Sequence, residues 1–476
     1  MGMKKFALSI VFTLVFTLLA APAWATTYYL APASGGGNDS NNGTSASTPW
    51  LTPNHPVNCG DVIIAAASTA YVSGNFNQTS WGAVTCPAGN NVAWLQCATF
   101  DACKITATSN SGMWVASSYW GVQGWEVSTS GTPEGPCFFA SANSNSGPSV
   151  SHIIFANDIA NGCMDGGFAT AAQGAYGPDY LVIVGDAIYN AAAGSSECFS
   201  GVDIGGLVNA DTQPGTHVYI AGNYIWNNQE PVSCGGGAPT DGAGIILDSL
   251  DGNSYTQQVA IENNISFLNG SSGVKIVATT EAAINIVSNT IYGNDQDTSL
   301  NQTLCGEITL QSSNNTSVYY NLVRTIGSTG CGLYPNYVFF VQDPCLGDAI
   351  HNNFGYSAAG YNADSASCSG FTFGPNYTFG VDPGFVSAPP SNPGAPNCGA
   401  ATSVPNCMAA VIAGFTPQAA SAAAYGYQAP TAAPINDPLF PQWLCNVNLP
   451  AGLITMGCLS ASSLPASPTI TNAAVR

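Results

Sequence analysis

The sequence predicts an all-β solenoid, in which short strands are wound into a coil and each turn stacks on the one before it. One motif occurs twice, as IENNISF at residues 261–267 and as IVSNTIY at residues 286–292, so Asn264 and Asn289 stand 25 positions apart. Between the two copies, the segment GVKIV at residues 273–277 alternates in the manner of a strand. A repeat of this length, built from alternating strands, is typical of coiled sheets.

Two sets of predicted strands extend this pattern along the chain. The first comprises residues 163–169, 200–204, 244–247, 273–276 and 306–310, and the second comprises residues 153–158, 181–189, 218–226, 259–267, 284–292, 318–323 and 349–354. The bends of the second set carry Asp158, Asp186, Asn223, Asn264, Asn289, Asn321 and Asn353. Asparagine tolerates left-handed backbone and hydrogen-bonds its own chain, so we interpret this column as structural, with side chains stacked along the coil axis. The unequal spacings predict loop insertions, which commonly build the binding face of a solenoid.

Charge and targeting signals restrict the class of protein. Residues 1–25 combine two lysines, an apolar run and an Ala-Trp-Ala cleavage site, which predicts a secretory signal, and no later stretch is long enough to span a membrane. Two of the six cations lie in that signal, so the exported chain carries 4 − 26 = −22 charges. Nucleic acid is excluded as a partner, because phosphate binding requires clustered lysine and arginine. Since only 7% of residues are charged, we expect a surface of hydroxyls and amides that stays folded in acid.

The cysteines predict a framework of disulfides. All 16 follow the predicted signal, and an even number in an exported chain is typical of disulfide bonding, with the pairing left open. Zinc is the weaker interpretation, because no C-x-x-C pair occurs and the four histidines, His55, His152, His217 and His351, are scattered. Residues 381–476 are rich in Pro, Ala and Ser and hold four of the cysteines, so we interpret them as a disulfide-held C-terminal cap.

The N-terminal segment resembles the beginning of secreted right-handed parallel β-helix proteins. It contains YYLAP at residues 28–32, GTSASTPW at residues 43–50 and GDVI at residues 60–63, which match an extended strand, a turn and a first coil strand. The resemblance implies a right-handed parallel β-helix. We expect the chain to consist of the signal (residues 1–25), an N-terminal cap with the first coils (26–113), the β-helix proper (114–380) and the C-terminal cap (381–476). Enzymes and adhesins share this architecture, so it implies no activity.

Lys275 is the residue with the clearest chemical potential. Alternation sends Val274 and Ile276 into the coil and the Lys275 amine outward. Aligning the first set of strands predicts an outward row of Ala169, Asp203, Ile246, Lys275 and Glu307. Glu307 is then one coil, about 4.8 Å, from the lysine. Asp241, Asp248 and Asp251 gather just before it. A lysine beside acids on a weakly charged sheet is a general base, a salt-bridge partner, or both in turn.

The segment SSGVKI, following the bend NNISFLNG, is similar to the catalytic strand of family 9 polysaccharide lyases. These are right-handed parallel β-helix enzymes that cleave pectate by β-elimination, and the resemblance implies Lys275 as the base. It also implies calcium, which binds the substrate carboxylate in that family. The family's calcium strand has the form D-D-G-F-D, whereas this chain has DGAGII at residues 241–246, with Ile246 at the last position. A rearranged calcium site of Asp203, Asp241, Asp248 and Asp251 is therefore expected.

The predicted function is cleavage of an extracellular uronic-acid polysaccharide by a secreted lyase, with Lys275 and Glu307 as catalytic residues. Arg324, Tyr292 and Phe267 are candidates for substrate binding, and the aromatic residues past the bends are either sugar platforms or a structural ladder. A charge of −22 opposes a polyanionic substrate. Two alternatives stay open: a non-catalytic surface protein that binds glycans or cells, and a glycoside hydrolase that uses the same acids as an acid–base pair.

Overall fold

The computed structural model of the protein describes residues 25–86, 92–131, 135–194, 198–210, 212–230, 241–297, 305–326, 336–364, 368, 371–374, 378–379, 382–418, 439, 441 and 443. The predicted secretory signal lies outside these residues, apart from its last alanine. Cys234, Cys331, Cys445 and Cys458 lie outside them as well.

The chain is wound into a right-handed parallel β-helix whose turns contribute strands to three long parallel sheets. Sheet 1 contains Thr27–Leu30 (β1), Val62–Ala65 (β3), Ala93–Cys97 (β6), Trp120–Gln123 (β9), Val150–Ala156 (β12), Pro178–Val184 (β15), Thr216–Ala221 (β18), Gln258–Glu262 (β21), Ile284–Val287 (β24), Thr316–Tyr319 (β27), Ala349–His351 (β30) and Thr372–Phe373 (β33).

Sheet 2 contains Ser68–Tyr71 (β4), Cys103–Ala107 (β7), Trp125–Thr129 (β10), Ile159–Asn161 (β13), Ala187–Tyr189 (β16), Tyr224–Trp226 (β19), Ile265–Phe267 (β22), Thr290–Tyr292 (β25), Leu322–Arg324 (β28), Phe354–Tyr356 (β31) and Thr378–Phe379 (β34). Sheet 3 contains Met113–Val115 (β8), Phe138–Ser141 (β11), Phe168–Ala171 (β14), Val202–Gly205 (β17), Ile245–Asp248 (β20), Val274–Thr279 (β23), Gly306–Ser313 (β26), Tyr337–Gln342 (β29) and Ala363–Asp364 (β32). Val57–Asn58 (β2) pairs with Val84–Thr85 (β5) beside the first coils.

Alternation along each strand builds the core of the coil. On β23, Val274 and Ile276 are fully buried inside and pair with Ile245 and Leu247 of the preceding turn. Full burial of such a side chain is worth about 1.5–3 kcal/mol, so the stacked rows of aliphatic residues are the main source of stability. Lys275 lies between two of these inward residues and therefore on the outer side of sheet 3, as predicted.

A ladder of amide side chains runs along the bend between sheets 1 and 2. Asn264 donates from Nδ2 to Asn289 Oδ1 at 2.9 Å, Asn289 repeats this bond to Asn321, and Asn321 repeats it to Asn353. The predicted stacking of the asparagine column is confirmed. The left-handed backbone, however, belongs to the preceding residue of each turn: Asn157, Gly185, Gly222, Asn263, Ser288, Tyr320 and Asn352. The ladder residue itself is thereby free to aim its amide along the axis.

A second ladder, absent from the prediction, follows sheet 2. Asn228 donates to Asn269 and Asn269 to Asn294, each at 2.9 Å, and Asn294 donates to Glu307 Oε2 at 2.8 Å. Each of these asparagines stands five positions after one of the first ladder, at 223, 264 and 289. The constant spacing arises because a strand of three residues separates the two bends.

Disulfides connect neighbouring turns and short loops, as the cysteine count predicted. The described pairs are Cys59–Cys86, Cys97–Cys103, Cys137–Cys163, Cys345–Cys368 and Cys398–Cys407. Cys198 and Cys305 are also disulfide-bonded. With its sulfur in a disulfide, each of these residues is unavailable as a thiolate ligand for zinc.

The described residues between 382 and 418 of the C-terminal segment pack on the outer side of sheet 2, and Trp443 packs against His152 and Tyr180 of sheet 1. The segment includes two short α-helices, Val404–Cys407 (α1) and Ala409–Gly414 (α2), and single 3-10 turns occur elsewhere at Ala33–Gly35, Ser73–Phe76 and Leu250–Asn253. Phe415 packs against Phe267 and Tyr292, with ring centroids 5.0 and 5.5 Å apart. Within the described residues, no helix is long and apolar enough to cross a membrane.

Candidate functional site

Lys275 is the second residue of β23, on the outer side of sheet 3. The sheet register pairs it with Ile246 of the preceding turn and with Thr309 of the following one. The side chain leaves the sheet as alternation requires, yet only 3% of the residue is exposed, because loops rise beside it. Its Nζ lies 3.5 Å from Asp241 Oδ1. The amine is therefore held in an ion pair on the outer face of the coil.

Asp241 reaches Lys275 from the loop that leads into β20. Its backbone N–H donates to Glu230 Oε2 at 3.2 Å, and this bond joins the described residues on either side of residues 231–240. The next residue, Gly242, has a φ of 76°, and a Cβ there would come within 3.0 Å of the Glu230 nitrogen. Only glycine fits this left-handed, closely packed position without strain, so Gly242 sets the direction in which Asp241 points.

Further acids surround this ion pair, and we call Asp203, Glu230, Asp241 and Asp295, together with Lys275, the acid cluster. Burial raises the pKa of Asp203 well above its usual value, and the charges of Asp241 and Asp248 raise it further. Burial likewise raises the pKa of Glu230 to about 7, although the Lys275 ammonium works in the opposite direction. The pKa of Asp295 is raised well above its usual value by burial and by Glu307, again against the effect of Lys275. Burial therefore favours the neutral form of these three carboxyl groups, whereas Asp241 lies in direct contact with the Lys275 amine.

The four aspartates expected to bind calcium do not fit that role as a set. Asp251 binds the backbone and hydroxyl of Thr280, at 2.7 and 2.8 Å, and so serves a turn. Ile246, which is 1% exposed, separates Asp203 from Lys275 in the row. Within the described residues, the one group of three potential ligand atoms mutually within 4.8 Å is Asp343, Cys345 and Cys368, whose sulfurs form a disulfide. The expected cage of aspartate oxygens is therefore not assembled.

Glu307 is not the neighbour of Lys275 in the outward row, and this prediction was wrong by two positions. Thr309 stands there, and its hydroxyl lies 2.8 Å from that of Ser272. Glu307 is fully buried at the bend, where it accepts hydrogen bonds from the backbone and amide of Asn294. Burial raises its pKa to about 7 against the effect of these bonds. Glu307 is thus the last hydrogen-bond acceptor of the second ladder. These contacts do not support a direct part in catalysis.

The three residues predicted to bind substrate are engaged elsewhere. Phe267 is fully buried and Tyr292 nearly so, because Phe415 and its neighbours cover them. Arg324 pairs with Asp382 at 2.9 Å and lies over the Tyr292 ring, 5.6 Å from its centroid. The expectation of an exposed sugar platform on sheet 2 was wrong, since the C-terminal segment occupies that face.

Sequence reasoning missed Glu230 and Asp295, which the fold brings to Lys275. Both lie in insertions between sheets 2 and 3, 45 residues before the lysine and 20 after it. The signal that precedes them is the second asparagine column, because Glu230 follows Asn228 by two positions and Asp295 follows Asn294 by one. Acids just beyond this column enter the loops that rise beside the outer face of sheet 3.

No protein-family model matches the chain, and neither does any curated protein. Among solved structures, the chain is similar to the pectate lyase Pel9A, with 16% identity over 76% of this chain and 83% of that one and a TM-score of 0.36. It is similar to the Dettilon tailspike protein, with 11% identity over 68% of this chain and 63% of that one and a TM-score of 0.40. It is also similar to an alginate lyase from Paenibacillus, with 12% identity over 74% of this chain and 97% of that one and a TM-score of 0.38. At these identities and TM-scores, the likenesses identify neither a family nor a reaction for this chain.

Proposed function

We propose that the protein is a secreted enzyme that hydrolyses glycosidic bonds of an extracellular polysaccharide, with the acid cluster as its catalytic centre. The observation that carries this proposal is the contrast between two neighbouring carboxyl groups. Asp241 lies beside the Lys275 ammonium, whereas the pKa of Asp203 is raised by burial and by the charge of Asp241. Glycoside hydrolysis needs one protonated and one ionised carboxyl group flanking the scissile bond.

In this mechanism, Asp203 donates its proton to the oxygen of the leaving sugar as the bond from that oxygen to the anomeric carbon breaks. Asp241 accepts a proton from the water whose oxygen forms the new bond to that carbon, so that one water is consumed and both sugar ends become hydroxyls. Lys275 is a positioning residue, because its ammonium keeps Asp241 ionised. Glu230 accepts the Asp241 backbone N–H and thereby holds the loop in place.

A second candidate is β-elimination from a uronan, with Lys275 as the base. The position of the amine on the outer face of a coil, with Asp203 two turns before it, favours this reaction. Two observations weaken it. The Lys275 amine is already paired with Asp241 at 3.5 Å, so it would have to leave this partner before it could approach a substrate proton. In addition, Ile246 stands where the resemblance would require a calcium ligand, so no step through calcium is derived.

The test is a panel of uncharged polysaccharides and uronans incubated with the full chain. Hydrolysis yields new reducing ends without ultraviolet absorbance, whereas β-elimination yields an unsaturated, absorbing sugar end. We expect reducing ends alone, and we expect Asp203→Asn and Asp241→Asn each to lower the rate at least about a hundredfold, since loss of a general acid or base typically costs that much. The exposed Glu281→Gln variant is the matched control.

Unsaturated products that disappear in Lys275→Ala would establish the lyase reaction instead. Binding of a polysaccharide without any new chain end would identify a non-catalytic glycan-binding protein. Full activity in Asp241→Asn would remove the acid cluster from consideration.

A further inference from the structure

We propose that the outer face of sheet 3 binds an uncharged polysaccharide along the coil axis, with aromatic subsites on both sides of the acid cluster, so that internal bonds are cut. This inference rests on the proposed function and deepens it by naming the substrate class and its direction of binding. It follows from the residues that share one register row with Lys275.

The row that contains Lys275 runs through eight turns. Successive strand pairs align Trp114, Phe139, Ala169, Asp203, Ile246, Lys275, Thr309 and Phe340. At about 4.8 Å per turn, seven steps span about 34 Å. Phe139 lies two turns before Asp203, and Phe340 lies two turns after Lys275. The charged residues therefore lie in the middle of the row, where Asp203 is 8% and Lys275 3% exposed, and partly exposed aromatic rings lie at both ends.

Both aromatic ends present partly exposed rings on the outer face. Trp114 and Phe139 pack edge to face with centroids 4.9 Å apart, and the Trp114 indole N–H donates to the Ser141 carbonyl, which fixes its plane. At the other end, Tyr337 packs between Phe340 and Tyr361, and Tyr361 is 43% exposed. Aromatic faces of this kind suit the C–H face of a sugar ring, which is apolar, while sugar hydroxyls remain at the ring edge.

An adjacent register row supplies groups for those hydroxyls. It aligns Asp248, Val277, Gln311 and Gln342 on successive turns. Gln311 and Gln342 are half-buried side chains of this row. Neutral amides beside aromatic rings are the polar contacts expected for an uncharged sugar, because each amide can both donate and accept.

The charge of this face excludes a polyanion as the preferred occupant. Among the described residues of the two rows, Lys275 is the single cation, and its ammonium already pairs with Asp241. Asp248 lies on the same face, and the whole chain carries −20 charges. A uronan would bring further negative charge to this acidic chain, whereas an uncharged polysaccharide avoids that repulsion.

The experiment measures binding and cleavage separately. Binding of soluble β-glucan, galactan, glucomannan, polygalacturonate and alginate is followed by affinity electrophoresis with the Asp241→Asn chain. In that background, Phe139→Leu and Phe340→Leu remove one ring each while keeping apolar volume. Phe340→Tyr keeps the ring, and Tyr320→Leu removes a ring that is 56% exposed outside these two rows. Circular dichroism checks that each variant is folded.

We expect an uncharged polysaccharide to bind, with affinity lowered about three- to tenfold by each ring deletion, less by Phe340→Tyr than by Phe340→Leu, and not at all by Tyr320→Leu. We also expect early products of the active chain to be long fragments rather than single sugars. Preferential binding of a uronan, or unchanged affinity in both ring deletions, overturns the inference. If Asp241→Asn abolishes cleavage but ring deletion changes nothing, the proposed hydrolysis stands and the subsites fail. If ring deletion weakens binding but the wild-type chain cuts no bond, the subsites stand and the hydrolysis fails.

Discussion

Asp186 occupies a position in the first ladder that asparagine fills on the next turns. Its Oδ1 accepts the Asp158 N–H at 2.7 Å, as the amide oxygens of the asparagines do. Its Oδ2 is buried without a hydrogen-bonding partner, at the place where Asn223 presents Nδ2 to Asn264. Burial and the nearby Asp158 raise the pKa of Asp186 well above its usual value. A neutral carboxylic acid, which has a proton to donate, suits this position, whereas a carboxylate does not.

Asp186→Asn is expected to stabilise the protein in a pH-dependent manner. The new amide has the hydrogen-bond donor that an ionised carboxylate lacks. Because a buried unsatisfied polar group costs about 1–3 kcal/mol, the free energy of unfolding should rise by that amount at about pH 8.5. At about pH 4.5 the protonated aspartic acid already donates, and the gain should be small. Urea unfolding at both pH values measures it.

The reverse change one turn later is the control. Asn223→Asp should lower the free energy of unfolding more at the higher pH than at the lower one. Equal effects of Asp186→Asn at the two pH values would contradict a protonated ladder position.

Lys275 and Asp241 make a further prediction at the scale of single residues. Without the ammonium, Asp241 accepts a proton more readily, so Lys275→Met should shift the acid side of the activity profile to higher pH. A shift of one pH unit corresponds to about a tenfold loss of activity on that limb. Lys275→Arg retains a cation and should restore much of the profile. If Lys275→Met lowers activity equally at all pH values, the lysine acts other than through the ionisation of Asp241.

At the scale of elements, the asparagine ladder is the connection between successive turns. The Asn289 side chain donates to Asn321 Oδ1 and to the Ile261 carbonyl, and it accepts from the backbone and amide of Asn264, all at 2.9 Å. Asn289→Ala leaves buried groups on two turns unsatisfied and should cost about 2–4 kcal/mol of unfolding free energy in a urea titration. Asn285→Ala, on the outer face of the same turn, is the control. Equal losses from both substitutions would argue against a special role of the ladder.

The C-terminal segment makes the second prediction at this scale. Phe415 covers Phe267 and Tyr292, and the backbone N–H of Val404 donates to Asn157 Oδ1 at 2.6 Å. Phe415→Ala should cost about 3–5 kcal/mol if the segment unfolds together with the coil. If it detaches separately, faster hydrogen exchange confined to residues 382–418 and to sheet 2 is expected. The exposed Thr416→Ala should change neither quantity. Unaltered exchange and stability in Phe415→Ala would show that the packing contributes little.

For the whole molecule, buried acids predict greater stability in acid than in base. Burial raises the pKa of Asp158 to about 8 and those of Glu230 and Glu307 to about 7. Each group binds its proton more tightly in the folded chain than in the unfolded one. Its contribution is therefore fully present below the unfolded pKa and is lost as the pH rises through the folded pKa.

The free energy of unfolding should consequently fall by several kcal/mol between about pH 5 and pH 9, since each unit of pKa difference is worth about 1.4 kcal/mol. Growing negative charge acts in the same direction. Urea titrations across this range, at constant ionic strength, provide the measurement. Stability that rises steadily towards pH 9 would contradict these protonation states. The pKa values of the Asp39 and Glu126 carboxyl groups are lowered, so the stability that these two groups contribute is lost as the pH falls.

Strand alternation and the repeated bends are local properties, so the sequence alone determined the coil, the asparagine ladder and the outward direction of Lys275. It also placed Asp203 and Ile246 correctly in the row of that lysine, because short strands between recognisable bends leave little freedom of register. Resemblance to known β-helix proteins supplied the handedness.

Only the tertiary structure decided which acids meet the lysine. Asp241 and Glu230 approach it from an inserted loop, and Asp295 approaches from another, where no periodic pattern specifies direction. Glu307 points into the bend, where its carboxyl group accepts a hydrogen bond from the Asn294 amide. Phe267 and Tyr292 are covered by Phe415, which lies more than a hundred residues later in the chain. Periodicity sets the path of the backbone between neighbouring turns, whereas loop direction and burial depend on contacts between parts of the chain that are distant in sequence.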